Sequence, residues 1–248
     1  MRAGTNPGTE DSMSSIGRFS LKLLAVVAVT LGAYLLLVRP WFLRWGASDA
    51  EIRQVWPGDE LSPTPAYVAT RAITIEAPPE LVWRWVVQIG QDRAGFYSYT
   101  WLENLFRADI HNAKYIAEEW QTRKVGDTVW LARKDRYHGT ARQTVAFVTL
   151  NRAMVLVSPV DYENISAGGS ARGSWAFILE PLDQRTTRLL LRSRAGQSTS
   201  IWQKAYACLL FDPAHFIMER KMMLGIKHRA EECMRWLTLY GNPGCPGG

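Results

Sequence analysis

From Leu23 to Val38 the chain reads LLAVVAVTLGAYLLLV, with no charge anywhere in the run. A helix apolar on every side has no face to turn to water, so it belongs in a large core or in lipid. Phe19 and Leu21 extend the run on one side, and Trp41, Phe42 and Leu43 on the other. Crossing the hydrocarbon layer takes about 20 apolar helical residues, roughly 30 Å at 1.5 Å per residue. Phe19 to Leu43 meets that length if Lys22 and Arg39 snorkel toward the headgroups. Trp41 and Trp45 fall where an interfacial aromatic belt lies. Basic flanks and all-round hydrophobicity argue against a buried core helix. A cleaved signal peptide would carry a small-x-small site after the run, where this chain has LLLVRPW. The expectation is one uncleaved anchor over residues 18–45, behind an unstructured, Gly/Ser/Thr-rich leader at residues 1–17.

The orientation rests on few charges. Arg18 and Lys22 flank one side of the run, and Arg39, Arg44 and Arg53 the other, which leans toward a cytoplasmic domain. The three cysteines, Cys208, Cys233 and Cys245, show no CxxC or Cys/His spacing. They read as unpaired thiols of a reducing compartment, against a disulfide framework and against a structural zinc site.

The rest of the 248 residues suffices for one good-sized domain. With 47% hydrophobic residues and 21% charged, the chain is neither disordered nor collagen-like. The net charge of +6 suits a surface facing anionic lipid, but it is spread along the chain and carries no nucleic-acid signature.

Residues 46–68 hold three prolines (57, 63 and 65) and no sustained period, and read as a linker. Thr70 to Glu76 alternates, with Ile73 and Ile75 on one face, as a strand does. Pro78 and Pro79 suit the first turn of a helix whose stripe is Leu81, Val82, Trp85, Val86 and Ile89. A second helical region begins near Trp101. Strands follow at Thr128–Ala132, Ala141–Leu150, Met154–Ser158, Ser174–Glu180 and Thr187–Ser193. In the last of these, Leu189 and Leu191 oppose Arg188 and Arg192, which predicts one wet face for the sheet. Arg142, Arg188, Arg192 and Arg194 are accordingly placed in water. Asp212-Pro213 starts a long helix to about Leu239, striped by Phe216, Met223, Ile226, Ala230, Cys233, Met234 and Leu237. Residues 241–248 form a loose tail. The domain is then residues 69–240, and the segregation of strands and helices makes it α+β. A curved antiparallel sheet can bury the last helix in its concavity, and room left between them becomes an apolar pocket.

That element order resembles the helix-grip fold of the START / Bet v 1-like (SRPBCC, polyketide cyclase/dehydrase) superfamily. Three stretches resemble a bacterial, membrane-anchored branch of it. They are TRAITIEAPPELVWRWV (70–86), GFYSYTWLENLFRADIHNA (95–113) with Glu119-Trp120-Gln121 and Val125-Gly126-Asp127, and DPAHFIMERKMMLGIKHRAE (212–231). The resemblance covers residues 46–240 and implies a hydrophobic-ligand pocket. Its members include lipid carriers, cyclases and receptors, so it supplies no reaction.

Candidate site residues concentrate at Phe96, Tyr97, Tyr99, Trp101, Glu103, Asn104, Asp109, His111 and Asn112. Asp109 or Glu103 orienting His111 would make a general base near neutral pH, able to enolise or dehydrate a carbonyl compound. Tyr97 or Tyr99 would donate to the oxyanion. The same residues also read as a capping turn, Asp109 accepting backbone N–H groups and His111 bonding a carbonyl. A third reading places Tyr97, Tyr99, Trp101, Glu103 and His111 around a bound ligand. Trp175, Phe177, Met223 and Ile226 are candidate pocket walls, or ordinary core. No histidine pair has metal-ligand spacing, no GxSxG elbow occurs, and Gly168-Gly169 reads as a hairpin or loop tip, so neither metal nor cofactor is expected. The expected function is membrane-anchored binding of a lipid, isoprenoid or polyketide-like molecule. A cyclase or dehydratase and a filled-core interaction module are the alternatives.

Overall fold

The computed structural model describes residues 8–105, 107–241 and 245. The chain divides into two compact units, Met1–Phe42 and Leu43–Gly248.

The first unit is helical. α1 (Gly8–Ala33) runs into a π-helical turn, Tyr34–Val38, and then α2 (Arg39–Leu43). Of the leader expected at residues 1–17, residues 1–7 lie outside the described residues, and from Gly8 the backbone is already helical. Gly17–Leu43, 27 residues, is long and apolar enough to cross a membrane. At 1.5 Å per residue it measures about 40 Å, more than the hydrocarbon layer requires. The π-turn sits just ahead of Pro40. A proline lacks the N–H for the residue four back and its ring crowds that carbonyl; a wider turn relieves both.

The second unit is the helix-grip arrangement. Six strands form one curved antiparallel sheet: β1 (Tyr67–Ile75), β2 (Thr128–Trp130), β3 (Arg142–Thr149), β4 (Ala153–Val157), β5 (Gly173–Pro181) and β6 (Thr187–Ala195). Their order across the sheet is β1-β6-β5-β4-β3-β2. All six lie where the alternating patterns predict strands. Pro79 opens α4 (Pro79–Val87), and the short α5 (Thr100–Leu105) follows. The inner face carries Ile75, Val145, Met154, Leu156, Phe177, Leu179, Leu189 and Leu191. These pack in one core with Leu81, Val82, Trp85 and Val86 of α4 and with Met222, Met223, Ile226, Ala230 and Cys233 of α8 (Asp212–Tyr240).

Several expectations are corrected here. The C-terminal helix begins at Ile201, not at Asp212. α7 (Ile201–Tyr206) runs through a π-turn, Ala207–Phe211, directly into α8. The Asp-Pro pair that looks like a helix start is a helix interior, with the same wide turn before its proline as at Pro40. A further helix, α6 (Pro159–Ser166), is inserted between β4 and β5; Ser158 accepts from the Asp161 N–H at 3.1 Å as its N-cap. Gly168-Gly169 therefore lies in the loop after this helix, the loop alternative and not the hairpin one.

The wet face does not exist. The outer face, with Ala72, Ala153, Val155, Ala176, Ile178 and Leu190, is covered by Trp56 and Leu61 from the segment after the first unit. Arg188 binds both oxygens of Glu51 (2.6 and 3.0 Å). Asp59 accepts from Arg192 and from Arg194, each at 2.8 Å. Arg192 is buried and Arg188 and Arg194 are partly covered, each paired with an acidic residue that arrives from 46–62. Arg142 is half-buried, its guanidinium 5.8 Å from the Trp130 ring centre. α3 (Asp49–Arg53), closed by a reciprocal Ser48/Glu51 cap, is that segment's one regular turn. Gly46 makes its approach possible. It has φ +72°, and a Cβ there would lie 2.1 Å from the Ala72 carbonyl oxygen. The Trp45 carbonyl accepts from the Ala72 N–H (3.1 Å), which blunts the β1 edge.

The cysteine reading is also corrected: Cys233 and Cys245 form a disulfide, and Cys208 is outside it. The loose tail expected after residue 240 otherwise falls largely outside the described residues. α8 itself ends at Gly241, left-handed at φ 62°.

Candidate functional site

The inner face of the sheet carries one charge into the core. Arg71 shares its strand parity with Ile73 and Ile75, and its side chain is wholly buried. Glu219 lies in the apolar stripe of α8, one turn after Phe216 and one before Met223, and is buried with it. The Arg71 guanidinium pairs with Glu219 Oε2, and the Trp175 indole N–H donates to Glu219 Oε1 at 2.7 Å. Arg71 also lies over the Phe216 ring, 5.3 Å from its centre. Burial pushes the Glu219 carboxyl up, but Arg71, the neighbouring His215 and the two hydrogen bonds together hold it below the ordinary range. Burial first, and Arg71 second, lower the basicity of His215 against the pull of Glu219 and Asp212. Both oxygens of the carboxylate are bonded.

Aromatic rings extend from this pair to the surface. Phe211 stacks on His215 (5.5 Å between centres), and His215 meets Trp175 edge-on at 6.0 Å. Trp175 touches Phe177 at 4.7 Å and Phe96 at 6.4 Å. Exposure falls from 53% at Phe211 to 0% at Phe177. The run therefore passes from an exposed ring to a buried one, with the ion pair beside its midpoint.

The residues expected from the 96–112 cluster are dispersed. Tyr97 is buried. Its hydroxyl donates to the Trp85 carbonyl (3.1 Å) and accepts from Gln88 Nε2 (2.9 Å), and its ring lies under Arg229 at 4.6 Å. Burial, opposed by the Gln88 bond and Arg229, pushes its hydroxyl pKa well up. Its strained φ of 55° is held by the Asn112 side chain, which accepts from the Tyr97 N–H (2.7 Å) and donates to the Ser98 carbonyl (2.9 Å). Gly225 of α8 lies directly opposite: a Cβ there would stand 2.4 Å from the Tyr97 carbonyl. His111 is 82% exposed and Asp109 is half exposed, with 3.9 Å between Nδ1 and the carboxylate. The loop that holds them is closed by Asn104, whose amide brackets the Ile110 N–H and carbonyl (2.7 and 3.0 Å). Tyr99 packs on Trp101 and Lys221, and Trp101 faces outward. Phe177, Met223 and Ile226 are core, while Trp175 is half-buried against it.

Glu103 differs from these. It is buried, its Oε2 has no partner among the described residues, and burial raises its pKa to about 7. Arg123 is also buried, but it donates to the carbonyls of Val87, Ile89 and Thr128 and so closes loops; burial lowers its pKa to about 10. No group of three or more His, Cys, Asp or Glu side chains is placed to hold a metal among the described residues. Depressions on the surface include one of about 900 Å³ beside Lys134, His138, Arg142 and Pro159 and another beside Pro79, Asn151 and Pro181.

Sequence reasoning missed Arg71, Glu219 and His215 as a site. The signal was present: two opposite charges, each on the apolar face of its own element. Their pairing across the core was not visible, because it needs the register of sheet against helix.

No protein-family model and no curated protein matches the chain. Among solved structures it is similar to the Zhui aromatase/cyclase from Streptomyces sp. R1128, with a TM-score of 0.40 and 13% identity over 68% of this chain and 96% of that one. It is also similar to the Polyketide_cyc-like protein Cgl2372 from Corynebacterium glutamicum, with a TM-score of 0.31 and 16% identity over 71% and 95%. A third is the Aha1 dimer from Colwellia psychrerythraea, with a TM-score of 0.35 and 16% identity over 66% and 96%.

Proposed function

We propose that the protein is a membrane-anchored binder of an apolar small molecule of lipid, isoprenoid or polyketide type. The ligand is taken in along the aromatic run from Phe211 to Phe177. One observation carries this reading: the rings descend from a half-exposed phenylalanine to a fully buried one, beside a buried ion pair. Flat or branched apolar groups fit between aromatic faces, and a few convergent polar atoms give direction. The Gly17–Leu43 helix supports the anchor, since it suits a bilayer and has no polar face. Ligands that partition into lipid then reach the domain without crossing much water.

The test is organic extraction of the natively purified full chain, followed by mass spectrometry. A bound apolar species is expected, depleted in Trp175→Ala. An empty chain in both forms contradicts the reading.

Catalysis of cyclase or dehydratase type has one residue in its favour, Glu103, whose burial keeps a carboxyl able to exchange a proton near neutrality. Exposed His111 and Asp109 lack the shielding a general base needs, and buried Tyr97 has its hydroxyl engaged.

A further inference from the structure

We infer that the helical segment Ile201–Phe211 lies in the headgroup layer of an anionic membrane, so that the aromatic run opens into lipid. The inference rests on the anchored reading above and adds where the domain touches the bilayer.

The segment reads IWQKAYACLLF, and none of its residues is buried. Trp202 is 81% exposed and Ile201 71%, with Tyr206, Leu209, Leu210 and Phe211 also exposed. Trp202, Tyr206 and Leu210 follow at four-residue spacing on one ridge of the helix. So large a continuous apolar surface marks a docking face in a soluble domain. Lys204 is its only charge. Between Gly196 and Met218 the one acidic residue is Asp212, which is buried. Lys204 and Arg220 are exposed and Lys221 half-buried, all with stems long enough to reach phosphates. Tryptophan and tyrosine with basic flanks are what the membrane interface selects.

The position in the fold agrees. Trp45 lies two residues beyond Leu43, where the membrane-length helix ends. Its ring packs edge-on against Phe216 at 6.2 Å and under the Arg220 guanidinium at 5.0 Å. Phe216 is five residues from Phe211, about 7.5 Å along the helix axis. Trp45, near the start of the second unit, and the exposed apolar helix therefore share one end of that unit. A second copy of the chain is the poorer occupant, because a two-fold contact would set Lys204, Arg220 and Lys221 against their own images.

The test is spin-label depth measurement on the full chain, in vesicles of equal phosphatidylcholine and phosphatidylglycerol. A Cys208→Ser background would carry single labels at Trp202→Cys, Leu210→Cys, Leu150→Cys in the β3–β4 turn, or Val29→Cys in the apolar helix. The expected result is oxygen accessibility several-fold above that of a water-soluble nickel probe at 202, 210 and 29, with the reverse at 150. Water-exposed labels at 202 and 210 with a lipid-buried label at 29 overturn this inference and leave the anchor intact. A water-exposed label at 29 removes the anchor and the inference together. Spin–spin broadening between copies at 202 and 210, without lipid exposure, overturns the inference in favour of a dimer.

Discussion

The two faces of the sheet are both buried, by opposite means. The inner face is apolar, and its one ion pair, Arg71–Glu219, joins strand to helix across the core. The outer face sets arginines at alternate positions of β6 and receives Glu51 and Asp59 from a segment with little regular structure. One face excludes charge except at a single point; the other uses charge to fasten its cover. An alternation of leucine and arginine thus reports two environments, but not that either is water.

The largest effect should come from splitting the inner pair. Glu219→Ala leaves a buried guanidinium uncompensated and should lower the unfolding free energy by about 3–5 kcal/mol. Replacing both partners, Arg71→Met with Glu219→Leu, should recover most of that loss. Urea unfolding of the full chain in detergent measures both, and a double variant as unstable as the single one breaks the comparison.

On the outer face, Asp59→Ala removes the shared partner of Arg192 and Arg194. The expected loss is about 1.5–3 kcal/mol, because these bonds involve charged groups at the margin of solvent. Limited proteolysis should also begin within 46–66, where the cover is held by its acidic residues. An unchanged cleavage pattern would show that Trp56 and Leu61 suffice.

A pH series probes the inner face further. His215 binds its proton less readily in the folded chain than when unfolded, so stability falls once the pH drops below about 6.5. Glu219 is depressed, and its contribution is present above the unfolded carboxylate value of about 4.3 and is lost as the pH falls below it. Unfolding midpoints from about pH 8 to about pH 2 should therefore decline in two stages. His215→Gln should remove the first stage alone. A first stage that persists unaltered in that variant contradicts the assignment.

Glu103 should give the smallest change, and of opposite sign. Its carboxyl is raised on folding, so its stabilisation is present below the unfolded value and lost as pH rises through about 7. Glu103→Gln should then stabilise the chain above that pH by on the order of 1 kcal/mol. No gain at alkaline pH would mean that the carboxyl finds a partner in solution.

Much of the fold was legible. Ile73/Ile75 and Leu189/Leu191 each mark one face of a strand, and Phe216 to Cys233 marks the gripped side of α8. What covers the outer face was not legible, because it depends on contacts between residues 137 and 133 apart in the chain, Glu51–Arg188 and Asp59–Arg192. The start of the C-terminal helix was hidden for a local reason: an Asp-Pro pair signals a helix start unless a π-turn absorbs the proline. Of the site, Trp175 and Phe177 were visible as aromatic face residues. Arg71 and Glu219 were each visible as a charge in an apolar row, but a row does not name its partner.

Photo-cross-linking measures most directly whether the aromatic run seats an apolar ligand. The full chain in vesicles would be irradiated with a diazirine-bearing fatty acid, and its adducts mapped by peptide mass spectrometry. Adducts on the β5 peptide around Trp175 and on the helix from Phe211 to Phe216, in addition to the Gly17–Leu43 helix, are the predicted result. Adducts confined to that N-terminal helix would contradict the account.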